Sequence, residues 1–337
     1  MVGVKRWQFW VGVIISVVLL YLALRGLRLD ELGKAFKQAN YWWVVPGVIV
    51  YFIRVWATAW RWHYLLKPLK SIPTNKLFPT VAIGYFGNNI LPARIGEVLR
   101  AIVLKKDENV PISASLATII VERVFDGVVM LGFVFLNLPE LAKLTSSSGF
   151  IGDIRTLAVI GTGIFIGALL VFLAGAMFPE RTLAIVERVT RRLPERYREK
   201  ILGLADRFLG GLAALRSPRG VLMVFVTSVV IWLLETSKYW FVMHAFPFKV
   251  SFFTLMLMNG IVNLATTIPS APGYVGTFDA PGIAVLQAYN VPKATAAAYT
   301  LALHLALWFP ITALGGYFML KKGINWSAEL EQAKAEV

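Results

Sequence analysis

The chain has 337 residues, of which 57% are hydrophobic and 16% charged, and its mean hydropathy is +0.66. A water-soluble domain does not carry that share of apolar residues, because its surface has to be polar. Apolar runs of about 20 residues, the length that spans a bilayer, recur from end to end and leave no room for a folded domain outside the membrane. The composition excludes a soluble globular protein and predicts a single transmembrane domain over residues 1–337.

Basic residues outnumber acidic ones, with 34 Lys and Arg against 19 Asp and Glu and a formal net charge of +15. In a membrane protein this excess is typical of cytoplasmic loops beside anionic headgroups, so it does not indicate nucleic acid. The absence of cysteine excludes disulfides, thiolate nucleophiles and Cys-ligated metal sites. The three histidines are far apart, and nucleotide, hydrolase and zinc motifs are missing, so no metal and no cofactor are predicted.

Six segments are long and apolar enough to be full transmembrane helices. In chain order they are 9–24, 42–60, 112–138, 157–178, 221–241 and 294–320. Residues 179–220 carry ten Lys or Arg and apolar residues at helical spacing, which predicts a cytoplasmic amphipathic segment. If successive spans cross the membrane in alternating directions from this segment, both termini lie in the cytoplasm, including the tail 321–337. The basic loop 25–41 then lies outside, against the charge rule.

Two further apolar stretches, 77–104 and 252–289, are interrupted near their middle. The predicted break residues are Pro92, Gly96, Pro269, Pro272, Gly273 and Gly276. Each stretch is expected to be a re-entrant helical hairpin, whose broken backbone must be covered by protein or line a water-filled cavity. The two hairpins would enter from opposite sides, and both breaks read Pro-x-x-x-Gly. The predicted fold is therefore an all-α polytopic membrane protein with about six full spans, two opposed re-entrant hairpins and an inverted repeat, whose site lies at the repeat interface.

Five acidic and five basic residues fall inside these apolar segments. They are Arg54, Arg94, Glu97, Arg100, Glu122, Arg123, Asp126, Glu235, Lys238 and Asp279. A charge at the bilayer centre costs roughly 2.5–3.5 kcal/mol on insertion scales, so membrane segments hold few charges that have no use. The spacing of three or four residues lets Glu122, Arg123 and Asp126 share one helical sector.

For several of these residues a structural interpretation competes with a functional one. Glu235 and Lys238 are three residues apart and could pair simply to lock the bundle. Arg54 lies in Trp-rich surroundings from which its side chain could reach the interface. Function is favoured for Arg94 and Glu97, because a broken helix presents unpaired N–H groups that attract anions.

The remaining polar residues of the apolar segments are asparagines and one histidine. Asn88, Asn89, Asn259 and Asn263 either cap the broken helices or contact a ligand. His304, alone in the last helix, is more typical of a hydrogen-bonded packing residue than of a proton relay.

Three motifs occur in order along the chain. They are Gly-Tyr-Phe-Gly-Asn-Asn-Ile-Leu-Pro-Ala-Arg-Ile-Gly-Glu at 84–97, Glu-Arg-x-x-Asp at 122–126 and Ile-Pro-Ser-Ala-Pro-Gly-x-x-Gly-x-Phe-Asp at 268–279. Together they resemble the lysylphosphatidylglycerol synthase transmembrane family, also called flippase-like or UPF0104 proteins, over nearly the whole chain. One departure is Asp279, where members often have Glu.

The resemblance implies a lipid flippase in the cytoplasmic (inner) membrane of a prokaryote. In the aminoacyl-phospholipid synthases of the family such a domain moves the finished lipid and precedes a soluble transferase. No such transferase follows here, so lipid translocation without lysyl transfer is expected. Relatives are associated with aminoacylated phospholipids, polyprenyl-linked sugars and hopanoids. A proton gradient is a candidate energy source, and a separate lipid-modifying enzyme is a candidate partner.

The chemistry of the buried charges fits a path for a lipid headgroup. Arg94, Arg123 and Lys238 are expected to attract a lipid phosphate. The acids Glu97, Glu122, Asp126 and Asp279 would neutralise these bases, receive a cationic headgroup or exchange a proton. The equal numbers of acids and bases leave the sign of the headgroup open. Two alternatives remain: an integral-membrane glycosyltransferase that uses a polyprenyl phosphate donor, and a partner subunit without transport of its own.

Overall fold

The computed structural model describes residues 6–91, 95–137, 148–268 and 270–324. In these ranges every regular element is a helix, which confirms the all-α class. The helices are α1 (Arg6–Leu24), α2 (Leu29–Gln38), α3 (Val44–Leu66), α4 (Thr74–Ile90), α5 (Gly96–Glu108), α6 (Ile112–Leu136), α7 (Ser148–Met177), α8 (Pro179–Thr190), α9 (Glu195–Gly211), α10 (Pro218–Met243), α11 (Phe252–Ala265), α12 (Asp279–Ala288) and α13 (Lys293–Lys321). Short 3-10 turns occupy Tyr41–Trp43, Ala213–Arg216 and Pro272–Tyr274.

Among the described residues, three helices are long and apolar enough to cross a membrane: α3 with the turn before it, α10 and α13. Two more spans result if each bent helix pair counts as one. The chain turns by 86° between α1 and α2 and by 103° between α7 and α8. These five agree with five of the six predicted spans. The sixth, α6, has 25 residues and is largely apolar apart from three charged residues in its middle, Glu122, Arg123 and Asp126, which set it apart from the other five.

The segment predicted to be cytoplasmic and amphipathic, 179–220, forms α8, α9 and the start of α10. Pro179 and Pro218 lie at the first positions of α8 and α10, where the missing N–H of proline has no helical partner to lose. Ser217 accepts a hydrogen bond from the Gly220 N–H at 3.0 Å and so caps α10. The cytoplasmic side of this segment and of the tail 321–337 stays a prediction.

The first interrupted stretch forms a hairpin of α4 and α5 whose ends meet. Lys76, at the start of α4, lies 3.3 Å from Glu108 at the end of α5. Lys70 also hydrogen-bonds to Glu108, and together the two lysines hold the pKa of its carboxyl below the ordinary value. At the other end, a Cβ on Gly87 would lie 2.7 Å from the Gly96 Cα, so the helices touch there without side chains between them. These contacts are those of a re-entrant hairpin.

The second stretch forms a corresponding hairpin of α11 and α12, which pack against each other. Its break is longer and runs from Thr266 to Phe278. Gly96 is the first residue of α5, whereas Gly273 has φ +76° and lies in the turn before α12. The glycines of the two Pro-x-x-x-Gly patterns therefore do not occupy equivalent positions in the two hairpins. Pro92, Arg94 and Pro269 lie outside the described residues.

Two sets of four helices, α3–α6 and α10–α13, share one pattern of packing. Within each set, the first helix packs on the second, the second on the third and the third on the fourth. Between the sets, α3 packs on α10, α4 on α13 and α6 on α11. Along the α3–α10 contact, Arg54 meets Glu235 and Arg61 meets Ser228, so these two related helices run antiparallel. This is the arrangement of an inverted repeat, as predicted.

The seam between α4 and α13 depends on a glycine. A Cβ on Gly315 would lie 2.3 Å from the Ala82 carbonyl oxygen and 2.7 Å from the Phe86 Cβ. The missing side chain thus lets the two backbones approach closely. In the same seam, the Asn89 side-chain amide donates a hydrogen bond to the Thr312 hydroxyl at 2.8 Å.

Gly315→Ala is expected to lower the stability of the protein by about 1–3 kcal/mol, because the new methyl group would push α13 away from the α4 backbone. Gly132→Ala is the matched control, since nothing lies within 4 Å of a Cβ at that helical glycine. Alanine is a better helix former than glycine, so the control should melt at or above the wild-type temperature. The check is the temperature at which detergent-solubilised protein leaves the monodisperse peak in size-exclusion chromatography. Equal melting of both variants would contradict the proposed seam.

Candidate functional site

A cavity of about 140 Å³ lies between the two hairpins, at the interface of the repeats. Its described lining comes from α3, α4, α5, α6, α10, α11, α13 and the second break. The polar and aromatic residues in this lining are Tyr51, Arg54, Tyr85, Asn88, Asn89, Glu97, Arg100, Arg123, Trp232, Glu235, Lys238, Asn263, Thr266, Tyr274, Phe278, His304 and Trp308. The cavity therefore lies at the repeat interface, which is where an inverted repeat is expected to hold its site.

The deep end of the cavity holds a cluster of three charges from α3 and α10. The Arg54 Nε lies 3.0 Å from one carboxylate oxygen of Glu235, and the Lys238 ammonium donates a hydrogen bond to the other. The Lys238 Nζ also lies 4.3 Å from the centre of the Tyr51 ring. Arg54 is buried in protein contacts, which favours the ion-pair interpretation of this residue over a side chain that extends outward. One acid thus balances two bases at this end.

A second charge pair lies where the cavity is more open. The Arg123 Nε is 3.6 Å from Glu97, a longer separation than in the deep cluster. The side chains are 34% and 25% exposed, against 1% for Lys238. Glu97 belongs to the first turn of α5, where a carboxylate is favoured by the helix dipole. A charged group that enters from this side meets Arg123 first.

A buried network of four charges lies next to the cavity. Arg61 makes a two-point contact with Asp126, at 2.6 and 3.2 Å, and Arg100 makes one with Glu122, at 2.7 and 3.3 Å. Asp126 also accepts a hydrogen bond from the Trp232 indole at 2.9 Å. Glu122 and Asp126 are 0% and 2% exposed, and neither is part of the described cavity lining. They compensate the arginines and fix their positions.

At the second break, Asp279 joins the turn to α13. Its carboxylate accepts a hydrogen bond from the Gly276 N–H at 2.9 Å and lies 2.9 Å from the His304 Nδ1. The other ring nitrogen of His304 donates to the Gly273 carbonyl at 2.7 Å. Asp279 is 1% exposed and lies behind the cavity wall, whereas His304 lines the cavity.

Some polar atoms at the cavity have no hydrogen-bond partner among the residues that the structure describes. Among them are the Asn88 Oδ1, the Tyr85 hydroxyl and the Arg54 Nη1. Asn89 and Asn263, by contrast, are already bonded to Thr312 and Asn259. Buried polar groups in native proteins are nearly always satisfied, so open ones at a cavity indicate groups that a ligand or water completes.

The charges of the lining are unequal. Four bases, Arg54, Arg100, Arg123 and Lys238, line the cavity with two acids, Glu97 and Glu235. Glu122, behind the lining, compensates Arg100 at 2.7 Å, which leaves an excess of one positive charge among the described lining residues. The remaining acids of the network, Glu122, Asp126 and Asp279, lie outside the lining. The cavity therefore favours an anionic group, which the equal totals of acids and bases in the sequence could not show.

The structure brings most of the predicted site residues together. In the lining are Arg54, Asn88, Asn89, Gly96, Glu97, Arg123, Glu235, Lys238, Asn263 and Gly273. Beside it, but not in the described lining, are Glu122, Asp126, Asp279, Pro272 and Gly276. Arg94, Pro92 and Pro269 lie outside the described residues, and the functional roles of all these residues stay predictions.

Sequence reasoning missed two arginines of the site and the partner of His304. Arg61 fell outside the predicted second span, which ended at residue 60, whereas α3 continues to Leu66. Its spacing of seven residues from Arg54 places both on one face of α3, and that spacing was a usable signal. Arg100 was recognised as a buried charge but was not assigned to the site, and it lies in the lining.

Comparison with known proteins matches the model of the lysylphosphatidylglycerol synthase TM region to residues 9–315. Glycosyltransferase AglD of Haloferax volcanii is 28% identical over 99% of this chain, and the chain spans 57% of that protein's length. A UPF0104 membrane protein of Methanocaldococcus jannaschii is 25% identical over 95% of this chain and 96% of its own length. Another, from Pyrococcus horikoshii, is 26% identical over 92% and 96%.

The family match covers both hairpins, both sets of four helices and the whole described cavity lining. The similarity to the two UPF0104 proteins extends over nearly their full lengths, so the shared unit is the helical membrane domain itself. The resemblance seen in the three motifs is thereby confirmed. This chain is a membrane protein that belongs to the lysylphosphatidylglycerol synthase transmembrane family.

Proposed function

We propose that this protein is a flippase that moves a phosphate-bearing lipid across the membrane. The headgroup passes through the cavity between the two hairpins, while the acyl or prenyl chains stay in the bilayer. The observation that carries the proposal is the excess of one positive charge in the lining, together with the unpartnered polar atoms beside it. Both features fit an anionic, hydrogen-bonding headgroup.

Arginine suits this task, because its planar guanidinium offers two parallel N–H donors to a phosphate. In the empty cavity each base lies against an acid, but Arg54 and Lys238 share Glu235, so one positive charge there is only partly compensated. An arriving phosphate would replace Glu97 at Arg123 and share Arg54 and Lys238 with Glu235. The separation of 3.6 Å between Arg123 and Glu97 makes the first exchange easy.

The arrangement supports a path rather than a static binding site. Opposed broken helices at a repeat interface are the usual place where transporters hold their substrate during alternating access. The exposed fraction falls from Arg123 at the open end to Lys238 at the deep end, so the two groups offer successive positions to one anion. Aromatic rings of Tyr51, Tyr85 and Trp308 line the same cavity and shield it from lipid.

The test is a reconstitution in liposomes with headgroup-labelled lipids. A polyprenyl phosphate, phosphatidylglycerol and an aminoacyl phosphatidylglycerol are compared with a neutral glycosyl diacylglycerol of similar headgroup size. At least one phosphate lipid is expected to cross about tenfold faster than the neutral lipid, the factor that corresponds to about 1.4 kcal/mol of anion preference. Equal rates for all lipids, or faster movement of the neutral one, would contradict the proposal.

A second candidate is a membrane glycosyltransferase that uses a polyprenyl phosphate donor. It is favoured by the name of the Haloferax volcanii relative, although this chain matches only 57% of that protein's length. Transfer of the sugar from a polyprenyl-phosphate donor to an acceptor by the purified protein, with no lipid movement, would replace the flippase proposal. A third candidate, a subunit that acts only through a lipid-modifying partner, predicts unchanged function in cells after the cavity charges are neutralised.

A further inference from the structure

We infer that His304 and Asp279 together hold one exchangeable proton, and that this proton keeps the second hairpin's break closed. The site consists of the Asp279 carboxylate, the His304 imidazole and the backbone of Gly273 and Gly276. The inference rests on the proposed flippase function only in one respect, the coupling of this proton to lipid movement. The proton site itself follows from the hydrogen-bond geometry.

Both neighbours of the His304 ring are oxygen atoms. The Gly273 carbonyl can only accept, so the Nε2 at 2.7 Å must carry a hydrogen. The Nδ1 lies 2.9 Å from a carboxylate oxygen of Asp279. That contact needs a second proton, which belongs either to the Nδ1 of an imidazolium or to the protonated carboxyl. In either form the pair holds one proton more than a neutral histidine beside an ionised aspartate.

This proton closes a ring of three hydrogen bonds around the second break. The Gly276 N–H donates to Asp279, Asp279 meets His304, and His304 donates to Gly273. Gly273 and Gly276 have φ values of +76° and +81°, a conformation that other residues rarely adopt. The two glycines therefore give the turn a distinct backbone conformation. The ring of hydrogen bonds holds the turn in this conformation against α13.

Loss of the proton would break the ring. The proton passes to water in the cavity, and an Nδ1 lone pair then faces an ionised carboxylate at 2.9 Å. Asp279 is 1% exposed and the His304 side chain 13%, so water screens little of this repulsion. The Phe278 ring against the imidazole, at 4.5 Å between centres, keeps the pair from water on that side. Separation of Asp279 from His304 frees the break to move.

The inverted repeat gives this pair a counterpart in the other half of the chain. Glu97 lies in the first turn of α5 and faces Arg123, the twelfth residue of α6. Asp279 begins α12 and faces His304, the twelfth residue of α13. The first pair is long and a quarter to a third exposed, whereas the second is short and buried. We call the Glu97–Arg123 pair the first gate and the Asp279–His304 pair the second gate. The first gate is thus open and the second closed.

The two gates differ in chemistry. Arginine keeps its proton in proteins, so Arg123 can release Glu97 only to a competing anion. A histidine ring can gain or lose a proton, so the pair of His304 and Asp279 can also respond to protons. The headgroup would therefore act on the Glu97–Arg123 pair and the proton on the Asp279–His304 pair. A proton-coupled transporter needs two such separate responses.

Other titratable groups face the same cavity. From helices packed on α13 and from the second break, they are Tyr51, Arg54, Tyr85, Glu235, Lys238 and Tyr274; Glu97, Arg100 and Arg123 come from α5 and α6. The acidic and basic side chains of α2, which also packs on α13, point outward. Glu31 is an exposed acid of α2, so Glu31→Gln serves as the control for a change of charge on a helix that packs on α13.

The chain has no cysteine, so a single thiol can report on the closed gate. Thr277, 0% exposed and inside the second break, is replaced by cysteine, and its reaction with membrane-permeant N-ethylmaleimide is followed in proteoliposomes without substrate lipid. The rate is divided by that of Glu187→Cys on the exposed face of α8, which corrects for the general rise of the thiolate fraction with pH. The same ratio in the His304→Gln background gives the remaining effect of pH on the buried thiol. We expect the wild-type ratio to rise about tenfold or more above that baseline when the pH is raised and the pair loses its proton.

Variants decide whether His304 and Asp279 cause this rise. With His304→Gln or Asp279→Asn, the ratio is expected to lack this rise, and Glu31→Gln is expected to behave like the wild type. A wild-type ratio that does not change, or the same rise in both gate variants, would overturn the inference. No lipid has to move in this measurement, so it remains valid if the proposed flippase function fails. The lipid assay in turn remains valid if the inferred proton site fails.

A second measurement tests the proton directly and does not require a variant to be active. The chain has three histidines, His63, His244 and His304, so selective ¹⁵N labelling gives a simple spectrum, in which His304 is assigned by its loss in His304→Gln. The Nε2 of His304 is expected to carry a hydrogen, which it donates to the Gly273 carbonyl. A neutral ring with hydrogen on Nδ1 alone would overturn the inference.

Discussion

Arg61→Met is expected to destabilise the protein by about 3–5 kcal/mol, the usual effect of removing one partner of a buried ion pair. Arg61 is 1% exposed and makes two contacts with Asp126, whose only other described partners are the Trp232 indole and the more distant Arg123. Without the guanidinium, a carboxylate would stay buried and poorly compensated. The readout is the melting temperature of the detergent-solubilised protein.

Two further variants make this prediction specific. Arg198→Met removes a base from an exposed pair with Glu195 at 3.1 Å and should change stability by less than about 1 kcal/mol. The double variant Arg61→Met with Asp126→Leu removes both charges and should recover part of the loss. If the single variant melts like the wild type, or if the double variant is less stable than the single one, the network does not hold the site together.

Arg123→Gln should reduce movement of the transported lipid about tenfold or more while the protein stays folded. Arg123 is the most exposed base of the cavity lining whose ion-pair geometry is described, and its contacts with Glu97 and Asp126 are 3.6 and 3.7 Å long. Its removal therefore costs little stability but takes the first positive charge from the path. Initial rates of lipid movement in liposomes, at matched protein content, give the comparison.

Arg123→Lys and Arg188→Gln are the controls for this second effect. Lysine keeps the charge but not the two-point geometry, so Arg123→Lys should fall between wild type and Arg123→Gln. Arg188 is an exposed base on α8, away from the cavity, and its neutralisation should leave the rate unchanged. Equal loss in Arg123→Gln and Arg188→Gln would show that surface charge alone, and not the cavity, governs the rate.

The helical architecture could be read from the sequence because its signals are local. Apolar length predicted the spans, and proline and glycine predicted both breaks. The inverted repeat followed from the opposed hairpins and is visible in the antiparallel contact of Arg54 with Glu235. The Pro-x-x-x-Gly likeness of the breaks, however, came from coincidence, because Gly96 starts a helix and Gly273 lies in a left-handed turn.

The division of labour among the charges could not be read in this way, because it depends on contacts between distant segments. Spacing within α6 put Glu122, Arg123 and Asp126 together but could not show that only Arg123 faces the cavity. Arg61 was missed where tryptophans at 60 and 62 suggested a helix end at the membrane interface. His304 looked like a packing residue until Asp279, on another helix, was placed 2.9 Å from its ring.

The claim that the cavity is the path of the headgroup is tested most directly by blocking it. Asn88, whose side-chain oxygen has no described partner in the cavity, is replaced by cysteine in the otherwise cysteine-free chain and modified with a bulky maleimide. Complete modification should stop lipid movement by Asn88→Cys but not by the equally modified Glu187→Cys. Undiminished movement after complete modification of Asn88→Cys would show that the lipid headgroup takes another route.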